Sequence, residues 1–385
     1  MKRLFPPERI ISFSLLLVTL AVNISMPLFR VYSKDAGFGN GQTALVLAAY
    51  ITGMLPCYIF LGGISDRVGR KPVLILSVAF SFLATLSVTI FPHVYALVVA
   101  RIFQGVALGL SMGTGTAYLA EVLQHKPNAV TLAANKASFA TSIGFSGGAL
   151  ATTLALLVHF TTTPPTYYAL LMLTFLGILL MFYLPNLKPI GGKVVRLPYF
   201  PKGSFPVNMA IAICWATTGT IIAIIPSQLA KLGLTAYAGF CIVLINWTGA
   251  FIQPLIRKMD PIKAIKIGYV MIPAGFAIVI LGCHLEKLPV ILSGTTVIGL
   301  AAYGFSFMSG MTLITHAAGE HRARAVSGFM FFGYIGFGIP AIFLGFLSDR
   351  YGIVNALLLF EAVVILLSIF LFLKISRQQA FAAGK

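Results

Sequence analysis

Charge is what this chain has least of. Only 9% of its 385 residues are Asp, Glu, Lys or Arg, and the acidic residues number just 9. The rest of the composition supplies little polarity in return: 58% of residues are hydrophobic and the mean hydropathy is +0.96. A protein facing water on all sides needs a polar exterior and cannot hide that much apolar surface. Lipid is therefore the solvent over most of the exterior. Cysteine is scarce as well: Cys57, Cys214, Cys241 and Cys283 stand singly in apolar runs. Without paired spacing they read as small core residues, and neither a disulfide framework nor a metal site is expected. The chain has no Gly-x-x-x-x-Gly-Lys-Ser/Thr phosphate loop, no His-Glu-x-x-His and no pair of aspartates inside an apolar run. Those gaps argue against a nucleotide-driven motor and against a membrane-embedded enzyme, and no cofactor is expected.

What is abundant is long apolar sequence. A helix needs about 20 mainly apolar residues to cross the bilayer core. That window predicts twelve spans, at about 10–31, 43–63, 73–91, 95–119, 130–157, 165–185, 207–230, 236–256, 264–284, 289–315, 324–347 and 353–374. The first run follows Lys2, Arg3 and Arg9 and is too long for a signal-peptide core, so it reads as a retained span. The longest polar connection, 186–206, carries Lys188, Lys193, Arg196 and Lys202. It divides an all-helical membrane protein into a bundle of six spans over 1–185 and another over 207–385. The halves echo each other: Gly105 and Gly109 of span four have counterparts in Gly299 and Gly304 of span ten, as do the glycines from Gly144 and from Gly336 in spans five and eleven. Parallel repeats of this size are a transporter architecture with the substrate site near the midplane.

Net charge is +18, from 27 Lys and Arg. Such an excess in a soluble protein suggests nucleic acid; in a membrane protein it marks the cytoplasmic loops. With both termini on the inner side, 20 cations fall on inner segments and 5 on outer ones, while Arg101 and Lys136 lie within spans. The reading is a multi-pass protein of a bacterial cytoplasmic membrane, termini and central loop inside, with no nucleic-acid partner.

One charged turn has a recognisable spelling. Between spans two and three stands Gly62-Gly63-Ile64-Ser65-Asp66-Arg67-Val68-Gly69-Arg70-Lys71. The glycines permit close approach of span two to a neighbour and a turn with positive φ. Asp66 is suited to accept from a helix N-terminus, that of span eleven, or from nearby arginines. Arg67, Arg70 and Lys71 are suited to the lipid surface or to carboxylates. The stretch resembles the signature of the major facilitator superfamily, Gly-x-Leu-Ser/Ala-Asp-Arg-x-Gly-Arg-Arg/Lys, departing only at Ile64. With the twelve spans and the central loop, the resemblance covers essentially the whole chain. It implies a fold of two pseudo-symmetric six-helix bundles, with this turn latching the halves in one state. The counterpart in the second half, Ile256 to Pro261, is degenerate, whereas Gly345-Phe-Leu-Ser-Asp-Arg-Tyr-Gly352 is closer in spelling but falls after span eleven, on the outer side. It reads as a loop cap rather than a second latch.

The remaining candidates lie in the spans. Arg101-Ile-Phe-Gln104-Gly105 resembles the family's Arg-x-x-Gln-Gly pattern, whose arginine is associated with proton coupling in exporters. A charge within a span is costly unless it faces the bundle interior or snorkels to the interface. Gly144-Phe-Ser-Gly-Gly148 resembles the antiporter glycine motif but has Phe145 for proline and is one residue short, which weakens the antiport reading. Asn23, Arg30, Asn135 and Lys136 are cavity candidates that would make the cavity basic, and no acidic residue falls in spans one, two, four, five, seven, eight, ten or eleven as bounded above. Trp215, Asn246, Trp247, Tyr303 and Tyr334 could line an aromatic pocket or simply pack. Glu361 is the one carboxylate deep in a span, suited either to carry a proton or to bond a neighbouring helix. Glu121, and Glu320 with Arg322, sit in equivalent inner loops as latch partners.

The expectation is a monomeric secondary transporter working by alternating access. Its expected job is proton-driven export of a small organic compound, an anionic or zwitterionic metabolite, metallophore or drug. Proton symport for uptake is the alternative. A sensor, from another class, would carry a soluble signalling domain, and both tails are short.

Overall fold

The computed structural model describes residues 6–376, and Lys2, Arg3, Arg377 and Lys385 of the charge count lie outside them. Among the described residues every regular element is helical. This is what lipid requires, because each backbone N–H and C=O must be satisfied within its own segment. Eleven helices are long and apolar enough to span a bilayer and a shorter apolar helix joins them. They are α1 (Pro7–Asp35), α2 (Asn40–Phe60), α3 (Arg70–Ile90), α4 (Val94–Val122), α5 (Ala129–Val158), α6 (Pro165–Met181), α7 (Phe205–Lys231), α8 (Ala238–Ile256), α9 (Pro261–His284), α10 (Leu288–Ala317), α11 (Arg322–Tyr351) and α12 (Ile353–Ser376).

Three helices depart from the apolar windows. α1 is not continuous: it is helical to Asn23, turns through a 3-10 segment at Met26–Leu28 and resumes at Phe29. Pro27 is the local cause, since it has no N–H to return to the preceding turn. α6 stops at Met181 after 17 residues, four short of the expected end. α10 carries a π segment over Leu300–Met308 between two α-helical stretches.

The chain forms two compact units. The first holds Met1–Ala36 with Ala49–Arg196, the second Gly37–Ala48 with Leu197–Lys385. Within the first, α1 packs on α5, α3 on α4, and α6 on α3. Within the second the same positions pair: α7 on α11, α9 on α10, and α12 on α9. The glycine echo in the sequence acquires a physical meaning here. A Cβ on Gly105 of α4 would lie 1.9 Å from the Tyr50 carbonyl of α2, and one on Gly299 of α10 would lie 2.7 Å from the Ile245 carbonyl of α8. Backbones approach that closely only where one residue has no side chain.

Candidate functional site

Three clusters bring together most of the candidate residues. The first is the charged turn. After α2 a short helix, Ile64–Val68, presents Asp66, and Gly69 ends it at φ +98°. That backbone geometry is free only to glycine, and it aims Arg70 into the first turn of α3. Asp66 pairs with Arg70 one turn on and with Arg196 of the central loop. Arg70 also donates from Nε to Glu121 Oε1 at 2.9 Å and from Nη1 to Ser65 Oγ at 2.7 Å. Lys71 Nζ donates to the Phe182 and Leu184 carbonyls at 2.8 and 3.0 Å, capping the end of α6. Arg67 is exposed and in no ion pair among the described residues.

Arg196 was not among the latch candidates. The central loop runs across the turn: Gly63 N–H donates to Val194 O at 2.9 Å, Gly191 N–H to Asp66 O at 2.9 Å, and Arg196 N–H to Ile59 O at 3.0 Å. A Cβ on Gly63 would lie 2.2 Å from the Lys193 carbonyl. Gly63 therefore makes room for this strap, not for a neighbouring helix as expected. Nothing in the sequence singles out Arg196 from Lys188, Lys193 and Lys202 of the same loop. The Arg70 side chain is 10% exposed and that of Arg196 36%. Losing one partner of a buried pair costs about 3–5 kcal/mol, and exposed pairs contribute about 1 kcal/mol or less. Arg70 thus holds the cluster together, and Arg196 positions the strap. Of the other inner-loop candidates, Glu320 and Arg322 are exposed and make no ion pair among the described residues.

The second cluster is built on the break in α1. A helix end leaves carbonyls without intrahelical donors, and two side chains of α4 fill that need. Arg101 Nη1 donates to Val22 O at 2.9 Å and to Gln104 Oε1 at 2.8 Å, and Gln104 Nε2 donates to Ala21 O at 2.7 Å. The guanidinium carbon lies 4.5 Å from the Tyr50 ring centroid and 5.4 Å from that of Phe29. Arg101 is 1% exposed, so it faces the interior and does not snorkel. Glu121, on the same helix, is twenty residues away, about 30 Å at 1.5 Å per residue. Asn23 is buried and donates to Phe145 O of α5 at 2.6 Å. Arg30 and Lys136 are half-buried and Asn135 is exposed.

The third cluster lies in the second unit. Trp215 of α7 stands 4.8 Å from Tyr334, 6.0 Å from Tyr303 and 6.4 Å from Phe307, centroid to centroid. Tyr303 and Phe307 both belong to the π segment of α10, a feature frequent at functional sites. The Trp215 indole N–H is buried with no acceptor among the described residues. Trp247 instead packs on Phe251, and Asn246 bonds its own helix at Ile242 O. On α12, Glu361 is 7% exposed and its Oε2 has no hydrogen-bond partner among the described residues. The expected bond to a neighbouring helix is not made among the described residues.

Comparison with known proteins agrees with this arrangement. The family model described as Major Facilitator Superfamily matches residues 11–339. The D-xylose transporter of Levilactobacillus brevis is 32% identical over 89 residues, 23% of this chain and 20% of that protein. Multidrug resistance protein MdtL of Klebsiella pneumoniae is 30% identical over 100 residues, 26% of each. The matched stretch thus spans about a fifth to a quarter of these curated relatives. Among solved structures, that of the nucleoside transporter NupG has a TM-score of 0.75 at 13% identity, covering 95% of this chain and 98% of that one, a likeness of fold. A match over most of the chain, twelve apolar helices and the same helix pairing in both units lead to one conclusion: the chain belongs to the major facilitator superfamily.

Proposed function

We propose that the protein exports a small anionic or zwitterionic organic compound by alternating access, driven by inward proton flow across a bacterial cytoplasmic membrane. The observation that carries this reading is Arg101, a fully buried guanidinium held by the Val22 carbonyl, the Gln104 amide and the Tyr50 face. A cation kept at that depth is costly, and functional charges in membrane helices mark ligand or proton pathways. Arg30 and Lys136 on α1 and α5 add positive charge to the same unit. The aromatic cluster around Trp215 suits the apolar body of an organic substrate, and its unpaired indole N–H suits an acceptor oxygen. Arg101 with Gln104, and Glu361, are the proton-coupling candidates. The excess of cations on alternate loops orients the termini and the central strap to the cytoplasm. Proton-coupled uptake is the second reading, favoured by the similarity to a protein named as a D-xylose transporter.

Proteoliposomes with an imposed pH gradient test both readings, with carboxyfluorescein as an anionic probe and ethidium as a lipophilic cation. Movement of the anion against inward proton flow is expected, with loss of the pH dependence in Arg101→Met or Glu361→Gln. Movement of the cation alone rejects the basic cavity. Solute and protons moving in the same direction establishes uptake.

A further inference from the structure

The last seven residues of α11 and the glycine that follows, Gly345-Phe-Leu-Ser-Asp-Arg-Tyr-Gly352, repeat the spelling of the charged turn, Gly-x-x-Ser-Asp-Arg-x-Gly. The backbone repeats it too. Gly352 terminates α11 at φ +84°, ψ 155°, and Gly69 terminates its short helix at φ +98°, ψ 155°. In both places a new helix begins at the next residue. The two aspartates differ in what they hold. Asp66 takes arginines, whereas Asp349 takes the start of α2: the Asn40 N–H donates to Oδ1 at 2.7 Å and the Gly41 N–H to Oδ2 at 2.9 Å. Asn40 Nδ2 donates to Ser348 Oγ at 3.0 Å. The stretch is therefore not a cap on its own loop.

The fit around this contact is close. A Cβ on Gly345 would lie 2.7 Å from Gly41 Cα, one on Gly41 would lie 2.4 Å from the Phe346 ring, and one on Gly39 would lie 2.5 Å from Asp349 Oδ2. The first N–H groups of a helix have no partners of their own, and the positive end of its dipole favours a carboxylate. Asp349 meets both needs at the end of α2 opposite to the charged turn. The length of α2, 21 residues, separates the two by about 30 Å. α2 is also the helix divided between the units, residues 40–48 clustering with the second and 49–60 with the first. Any displacement of one unit relative to the other must therefore bend α2 or release its start. Bending breaks backbone bonds in a dry environment, while release exchanges three bonds for water at the helix end.

We propose that Asp349 is a positioning residue of the transport cycle: it clamps the start of α2 to α11 in this conformation and lets go in the opposite one. The proposal rests on the alternating-access reading, and its test separates the two. Ala44, near the start of α2, is fully buried, as are the four native cysteines. An Ala44→Cys reporter is labelled in intact vesicles with a membrane-impermeant maleimide, the parent serving as blank. Asp349→Ala is expected to raise the labelling rate at least threefold, with Asp349→Asn between it and the parent. Equal rates in correctly inserted protein overturn the proposal. A second arm joins the two sides through Asn40→Cys with Ser348→Cys. Oxidation is expected to stop movement of whichever dye the reduced protein carries, and reduction to restore it. Dye movement by the cross-linked protein at its reduced rate overturns the clamp. Movement of neither dye by the parent counts against the transport reading, and the labelling arm still decides the clamp.

Discussion

At the scale of the residue, Arg101 is the place where a functional role and a packing role for a buried charge can be told apart. Two of its hydrogen bonds go to neutral acceptors, the Val22 carbonyl and the Gln104 amide, and at 1% exposure its charge is withdrawn from solvent, which is costly within a membrane helix. Replacing it by an apolar side chain removes that cost but leaves the Val22 carbonyl and Gln104 Oε1 without this donor, which costs about 1–3 kcal/mol. Arg101→Met is therefore expected to lose about 1–3 kcal/mol of unfolding free energy, while dye transport per correctly inserted protein falls more than about tenfold, a loss of roughly 1.4 kcal/mol in the rate-limiting step. Transport at the parent rate by correctly inserted variant would return Arg101 to a packing role. Arg101→Lys is expected to rescue little, because an ammonium cannot stack on Tyr50 as the planar guanidinium does. The sequence announced Arg101 as a charge among apolar residues. It did not announce that the break in α1 supplies the carbonyl that receives it, because Pro27 alone does not say whether a helix kinks, ends or restarts.

At the scale of the element, the strap from Gly191 to Arg196 depends on one missing side chain. Gly63→Ala places a methyl group 2.2 Å from the Lys193 carbonyl, so the strap must lift and give up the Gly63–Val194 and Gly191–Asp66 hydrogen bonds. At about 1 kcal/mol for each net bond, local opening is expected to rise by roughly thirtyfold. Limited trypsin digestion reads this directly as faster cleavage at Lys193 and Arg196, with the helices left intact; an unchanged cleavage rate would mean that the strap is held elsewhere. The helices themselves were legible, because runs of about 20 apolar residues between charged turns have few other physical solutions. The charged turn was legible because Asp66, Arg70 and Gly69 each perform a task that few other residues can. The π segment of α10 was not, since Leu300–Met308 has the composition of any apolar helix and its extra residue per turn leaves no mark on hydropathy. Nor was the Asp66–Arg196 pair, whose members are separated by 130 residues.

At the scale of the whole molecule, repetition is visible in pairing more than in sequence. α1 on α5 and α7 on α11, α3 on α4 and α9 on α10 are the same contacts made twice, with glycine at the crossings as the surviving trace in the sequence. The repeat is broken after the second helix of each half, where Asp66 pairs with arginines and Asp260 accepts from the Lys263 N–H at the start of α9. It is broken again at the sixth position. α6 has 17 residues and α12 has 24, about 26 Å against 36 Å of helix. The exposed side of α6 is strongly apolar, with Tyr168, Met172, Phe175, Leu176 and Leu179. A bilayer core of about 30 Å overhangs so short a helix by several ångströms, and each ångström costs a fraction of a kcal/mol in thinned lipid. The protein should therefore deform the membrane unevenly, pinching the lipid beside α6 while leaving it relaxed beside α12. Thermal stability in vesicles of shorter-chain phosphatidylcholines is expected to exceed that in longer-chain ones, and a flat dependence on chain length would remove this asymmetry. Membrane thickness then becomes a variable to which the two bundles respond unequally, so that the lipid surrounding the protein takes part in setting its conformational balance.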